Sequence, residues 1–164
     1  MTNTIGNRHG SAVVTLPSDN EILITRVFDA PAELVFDAWT TPDIVKRWWA
    51  GDRGEVTDAQ IDLRIGGRWR WVMTANGGFE LAFSGEYRVI DRPHCLVKTE
   101  VFELVPDAEA VSTTTLDESE GVTTMRILAR YPSKEHRDAA IASGMEGGVQ
   151  TAFNQLEELV RQAA

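Results

Sequence analysis

One cysteine among 164 residues, Cys95, rules out an internal disulfide, and three widely separated histidines (His9, His94, His136) build no zinc-ligand spacing. The chain is therefore expected to fold on apolar burial alone, without metal or other cofactor, in a reducing cytoplasm. Cationic residues are scarce as well. Sixteen Lys and Arg stand against 25 Asp and Glu, a formal net charge of -9 that opposes phosphate backbones and anionic lipid surfaces. Nucleic acid is excluded as a natural partner on this ground. Met1–Asn20 holds no apolar run of the signal-peptide kind, and no later stretch approaches the ~18 apolar residues of a membrane span, so a soluble, unexported protein without membrane insertion is expected. The catalytic signatures of a G-x-S-x-G elbow, a phosphate-cradling glycine loop and an H-E-x-x-H helix are absent too.

What is present has the texture of a small α+β domain. Residues 1–10 are polar and aperiodic, a flexible tail, and residues 11–164 read as a single domain. Ser11–Leu16 and Ile22–Phe28, separated by the turn residues Pro17-Ser18-Asp19-Asn20, suggest a hairpin. Pro31 at a first helical position predicts a helix to Thr40, and Thr41 as N-cap before Pro42 predicts a second to about Trp49. From Glu55 to Tyr131 short alternating segments are divided by Gly66-Gly67, Asn76-Gly77-Gly78, Asp91-Arg92-Pro93 and Glu120-Gly121, the pattern of an antiparallel meander. Gly85 inside a strand pattern suggests a bulge that curls the sheet. Past Ser133, a stripe through Met145, Val149, Ala152, Phe153, Leu156, Leu159 and Val160 recurs every three or four residues, so a long C-terminal helix must lay that face on apolar material.

The alternation Arg68-Trp69-Arg70-Trp71-Val72-Met73 sends the tryptophans and Met73 to one face and the arginines to the other. Phe79, Leu81 and Phe83, and likewise Thr123, Met125 and Ile127, are expected on that same inner face, joined from the helices by Trp39, Trp48 and Trp49. A bent strand, the glycines Gly144, Gly147 and Gly148 in the covering helix, and adaptable methionines favour a lined cavity over solid packing. The expected wall comprises Trp39, Trp48, Trp69, Trp71, Met73, Phe83, Tyr87, Met125, Met145 and Val149. No catalytic residue is singled out. If the sheet bends as Gly85 suggests, Glu86, Glu100 or Tyr87 could enter the interior and move a proton.

Six ordered stretches carry a further signal. They are H-G-S-A-V-V-T-L-P-S-D-N-E-I at 9–22, T-R-V-F-D-A-P-A-E-L-V-F-D-A-W-T-T-P at 25–42, R-W-W at 47–49, D-L-R-I-G-G-R-W at 62–69, S-G-E-Y at 84–87, and Y-P-S-K-E-H-R-D-A-A-I-A-S-G-M-E-G-G at 131–148. In these the chain resembles the START-like SRPBCC superfamily, in the branch named after the activator of the heat-shock-protein-90 ATPase. The resemblance implies a helix-grip fold: a curved antiparallel sheet of about six to seven strands, two short helices after the first strand or hairpin, and a long C-terminal helix across the sheet over a cavity. Superfamily members include lipid and hormone carriers, polyketide cyclases and co-chaperone domains, so fold alone does not choose a function. Binding of a small apolar or aromatic ligand is the first expectation. A cyclase- or hydrolase-like enzyme comes second, and a stress-related chaperone-ATPase activator third, disfavoured because only a short tail precedes the domain. A homodimer is compatible with the sequence.

Overall fold

The computed structural model describes residues 11–164; the expected tail, 1–10, with His9, lies outside them. Eight strands and four helices follow one another as β1 (Val13–Thr15), β2 (Glu21–Phe28), α1 (Ala32–Thr40), α2 (Pro42–Trp48), β3 (Gly54–Ile61), β4 (Arg68–Ala75), β5 (Glu80–Asp91), β6 (Cys95–Phe102), β7 (Ala110–Ser119), β8 (Val122–Arg130), α3 (Lys134–Ala142) and α4 (Met145–Ala163). The strands form one sheet in the order β1-β2-β8-β7-β6-β5-β4-β3, each pair antiparallel. This is the expected helix-grip arrangement with eight strands in place of six to seven; the three-residue β1 counts as a strand through its pairing with β2.

The turn chemistry is where the sequence puts it. Glu120 and Gly121 both take positive φ (52° and 79°) at the β7–β8 hairpin, and Gly77 and Gly78 do so between β4 and β5. Pro31 stands one residue earlier than expected, at the N-cap of α1, while Pro42 opens α2 behind Thr41 as expected. The α1 N-terminus is capped from the sheet: the Glu118 carboxylate on β7 accepts from the Ala32 N–H at 2.8 Å, satisfying an orphan donor at the positive end of the helix dipole. Ser133 caps α3 by accepting from the His136 N–H.

Two register shifts curl the sheet, one in β3 between Val56 and Asp58 and one in β5 between Tyr87 and Val89. The second corrects the expected bulge at Gly85. Gly85 is needed for another reason: a Cβ there would stand 1.8 Å from the Thr99 carbonyl oxygen and 2.7 Å from the Trp69 indole nitrogen. Side-chain parity is kept from Leu81 through Tyr87 and reverses beyond it, leaving Val89 exposed and Ile90 against the core.

The stripe of α4 lies on the concave face as expected, with Ala152, Phe153, Leu156 and Val160 buried. Arg26 of β2 and Glu157 of α4, both buried, bind the two layers: the guanidinium meets the carboxylate at 3.0 Å, and the other carboxylate oxygen accepts from the Asp29 N–H. Gly144 is the N-cap of α4 at φ +84°, Gly148 makes room for the Arg53 side chain, and Gly147 faces open space. None of the three therefore lines a cavity wall, which corrects that part of the argument for one.

Candidate functional site

Concavity and alternation bring the inward residues of β4–β8 together beneath α1, α2 and α4. All five tryptophans join one apolar cluster, and the expected wall residues lie in it: Trp39, Trp48, Trp69, Trp71, Met73, Tyr87 and Met125 buried, Phe83, Met145 and Val149 half-buried. Phe79 does not join them. It precedes β5 and is 70% exposed, so the alternation expected from Phe79 begins only at Leu81.

The rings interlock. Trp39 packs edge-on to Trp48 at 4.7 Å and near Phe153 at 6.2 Å, and Trp69 lies 4.8 Å from Trp71. A partly open hollow between α1 and the sheet, bounded by Phe36, Trp39, Cys95, Leu96, Thr114 and Leu116, measures about 10 Å³, room for a single water. Packed rings thus stand where a lined cavity is expected from the sequence, which corrects that expectation, and of the expected wall residues only Trp39 borders the hollow. The aromatic cluster nonetheless reaches the surface: from Trp71 it continues through Trp49 at 5.3 Å to Phe83 at 4.9 Å and then to Phe102, stacked at 5.0 Å. On the opposite face of the sheet a groove of about 320 Å³ is open to solvent beside Gln60, Arg70, Ser84 and Glu103, and Arg70 is neutralised there by a two-pronged pairing with Glu103.

The polar groups of the interior are its unusual feature. Lys98 of β6 is 3% exposed, and its ammonium lies 4.3 Å, 4.4 Å and 5.1 Å from the ring centroids of Trp69, Trp71 and Trp39. Among the described residues no hydrogen bond or ion pair reaches it. Burial lowers its pKa to about 8, and the charge of Glu100, two residues along the same strand face, opposes that shift. Three indole faces offset part of the desolvation by cation–π attraction. Tyr87, which pairs with Lys98 across β5 and β6, has a buried, unpartnered hydroxyl whose pKa is raised by desolvation. The indole N–H groups of Trp39 and Trp71 are buried and unpartnered as well, whereas Trp69 donates to the Thr99 carbonyl and Trp48 to that of Ala38. A buried donor without an acceptor costs about 1–3 kcal/mol, so several in one interior are a substantial burden on the fold.

Of the three groups weighed as proton movers, Tyr87 is buried inside. Glu100 stands on the inner face, near enough that its charge also raises the Tyr131 pKa, which burial pushes up to about 12. Glu86 turns outward toward Arg88. Lys98 escaped the sequence reading because a lysine in a strand is ordinarily solvated; the alternation Leu96, Lys98, Glu100, Phe102 was the available signal. Cys95 opens β6, half-buried, with its thiol pKa raised by burial. Among the described residues no group of three His, Cys, Asp or Glu could hold a metal, and no helix is long and apolar enough to cross a membrane.

Comparison with solved structures returns the same architecture. A Rhodobacter sphaeroides protein superposes with a TM-score of 0.85 at 24% identity, over 93% of this chain and 99% of its own. A Nitrosomonas europaea protein gives 0.79 at 25%, covering 90% and 98%, and one from Staphylococcus epidermidis 0.77 at 26%, covering 91% and 94%. No functionally curated protein matches the sequence. The profile of one family, described as "Activator of Hsp90 ATPase homolog 1-like protein", matches residues 29–161. That span takes in α1, α2, strands β3 to β8, α3 and nearly all of α4, and the chain belongs to this family, of the START-like SRPBCC type.

Proposed function

We propose that the domain binds a small, largely apolar molecule in its sheet–helix interior. The observation that carries this reading is the unbroken aromatic path from the buried Trp69–Trp71 pair through Trp49 and Phe83 to Phe102 near the surface. A core that served stability alone would gain more from sealing such surface off. The hollow of about 10 Å³ means that a guest enters by displacing side chains. The first turns of α4 are the readiest cover to give way, since Met145–Thr151 contains no buried residue while the turns beyond it hold five. Burying ~300 Å² of apolar ligand yields about 7.5 kcal/mol at ~25 cal/mol/Å², against roughly 4–15 kcal/mol for association. Only a ligand with a long chain or several rings is held.

Intrinsic tryptophan fluorescence titrated with decanol tests the reading. A saturable change in intensity and emission maximum is expected, and an unchanged spectrum up to the solubility limit overturns it.

A cyclase-like enzyme is the second reading, favoured by the inward placement of Glu100 and Tyr87. There the interior would orient a polyketone and one of these groups would move its proton. A soluble β-polyketone probe followed by ultraviolet absorbance tests it: cyclisation faster than the buffer rate, and lost in Glu100→Gln, is expected, and the buffer rate with wild type rejects it.

A further inference from the structure

Resting on the proposal of an apolar guest, we infer that Lys98 marks where the head group of that guest sits, and that the head group is an acidic oxygen, a carboxylate, carried on an apolar body. The geometry supplies more donors than acceptors. The Lys98 ammonium is enclosed by three indole rings at 4.3–5.1 Å, and no hydrogen bond or ion pair among the described residues reaches it. Two of those rings, Trp39 and Trp71, bury an indole N–H with no partner, and the residue opposite Lys98 on β5, Tyr87, buries a hydroxyl with none.

Four donor groups thus share one interior. An indole N–H and an ammonium can only donate, and the Tyr87 hydroxyl oxygen is the one acceptor among the four, too few for two indole N–H groups and an ammonium, so rotating side chains cannot satisfy the cluster. One water would answer two of the groups at most as an acceptor, and the hollow of about 10 Å³, room for one, borders Trp39 but not Lys98, Trp71 or Tyr87. A carboxylate offers two oxygens with about four lone-pair sites and a full charge opposite the ammonium, and it does so on a body whose remainder the aromatic cluster accepts. A hydrocarbon of the same size leaves the cation as it was, and an alcohol brings one neutral oxygen without the opposing charge.

Glu100 is the carboxylate whose field already reaches Lys98. It forms no ion pair with Lys98, and the other titratable side chains toward this interior, Tyr87 and Tyr131, are held in their neutral form by burial. An incoming acid therefore competes with one partial counter-charge, and removing it should favour the acid. The protein's net charge of -9 gives no long-range attraction for an anion, so selectivity for the acid must come from inside.

Isothermal titration of decanoate and decanol, both below their aggregation concentrations and at pH 7, tests the inference in wild type, Lys98→Met and Glu100→Gln. Wild type is expected to hold decanoate at least ten-fold tighter than decanol. Lys98→Met, close in volume, is expected to bring the two within two-fold, chiefly by weakening decanoate, and Glu100→Gln to widen the gap. Equal affinities in wild type overturn the inference and leave the apolar interior standing. A preference for decanoate that survives in Lys98→Met also overturns it. Binding of neither compound by wild type overturns both. The wild-type ratio and Glu100→Gln decide the matter should the methionine variant fail to fold.

Discussion

The ammonium of Lys98 sits 4.3 Å above the ring of Trp69, whose own N–H is held by the Thr99 carbonyl at 3.1 Å. The strand that carries the lysine thus also fixes one wall of its cage. Such a charge is expensive to keep. With the pKa lowered from 10.5 to about 8 by burial, the unfolded chain binds more protons than the folded one between those values. Stability must therefore rise as pH increases from about 8 toward 10, with the penalty fully present below 8. Its size is about 3 kcal/mol before the indole faces are credited. Urea unfolding between pH 7.5 and 9.5 should show this rise, and Lys98→Met should abolish it while gaining about 1–3 kcal/mol at pH 7. A flat profile in wild type contradicts the burial of a charged lysine. Cys95 from about pH 9, and Tyr87 and Tyr131 from about pH 10, work the other way, because their folded pKa values are raised and that stabilisation is lost as pH climbs.

The Arg26–Glu157 pair makes a second, independent claim. Glu157→Ala strands a guanidinium that is 1% exposed and frees the Asp29 N–H, so a loss of about 3–5 kcal/mol is expected. Glu157→Gln keeps an acceptor and should lose less. Urea midpoints of the two variants check this, and a loss below about 1 kcal/mol for the alanine would show that α4 is not clamped there.

Glycines at 85 and 147 should respond in opposite directions. Gly147 sits in α4 with nothing within 4 Å of a Cβ, so Gly147→Ala should gain about 0.5–1 kcal/mol by propensity alone. Gly85→Ala drives a methyl into the Thr99 carbonyl oxygen at 1.8 Å, and two paired strands cannot part without losing hydrogen bonds. A loss of several kcal/mol, or a failure to fold, is expected. Thermal melts of the pair decide, and a Gly85→Ala protein melting with wild type would contradict the packing described.

Much of this architecture could be read from the chain because its punctuation is local. Glu120-Gly121 takes positive φ, Pro42 opens α2, and Ser133 caps α3, each a choice made within a few residues. The α4 stripe was likewise visible as a spacing. What stayed hidden depends on distant residues. The need for glycine at 85 comes from Thr99 and Trp69, and the register shift two residues later comes from strand pairing rather than from the glycine itself. Whether five tryptophans leave a hollow or interlock depends on ring angles, which no pattern encodes; here they interlock, and the hollow of about 10 Å³ borders Trp39 alone among them. Lys98 was hidden by its type, since a charged residue at an inward position defies the rule by which inward positions are recognised.

The central claim, that a guest enters this aromatic interior, is tested most directly by the indole N–H resonances of the five tryptophans in a ¹⁵N-labelled sample titrated with decanoate. The unpartnered Trp39 and Trp71 signals should shift most and saturate, while Trp48, already bonded to the Ala38 carbonyl, and Trp69, bonded to that of Thr99, should move less. Five resonances unmoved at the highest soluble concentration would mean that the rings close a solid core, and the account would fail.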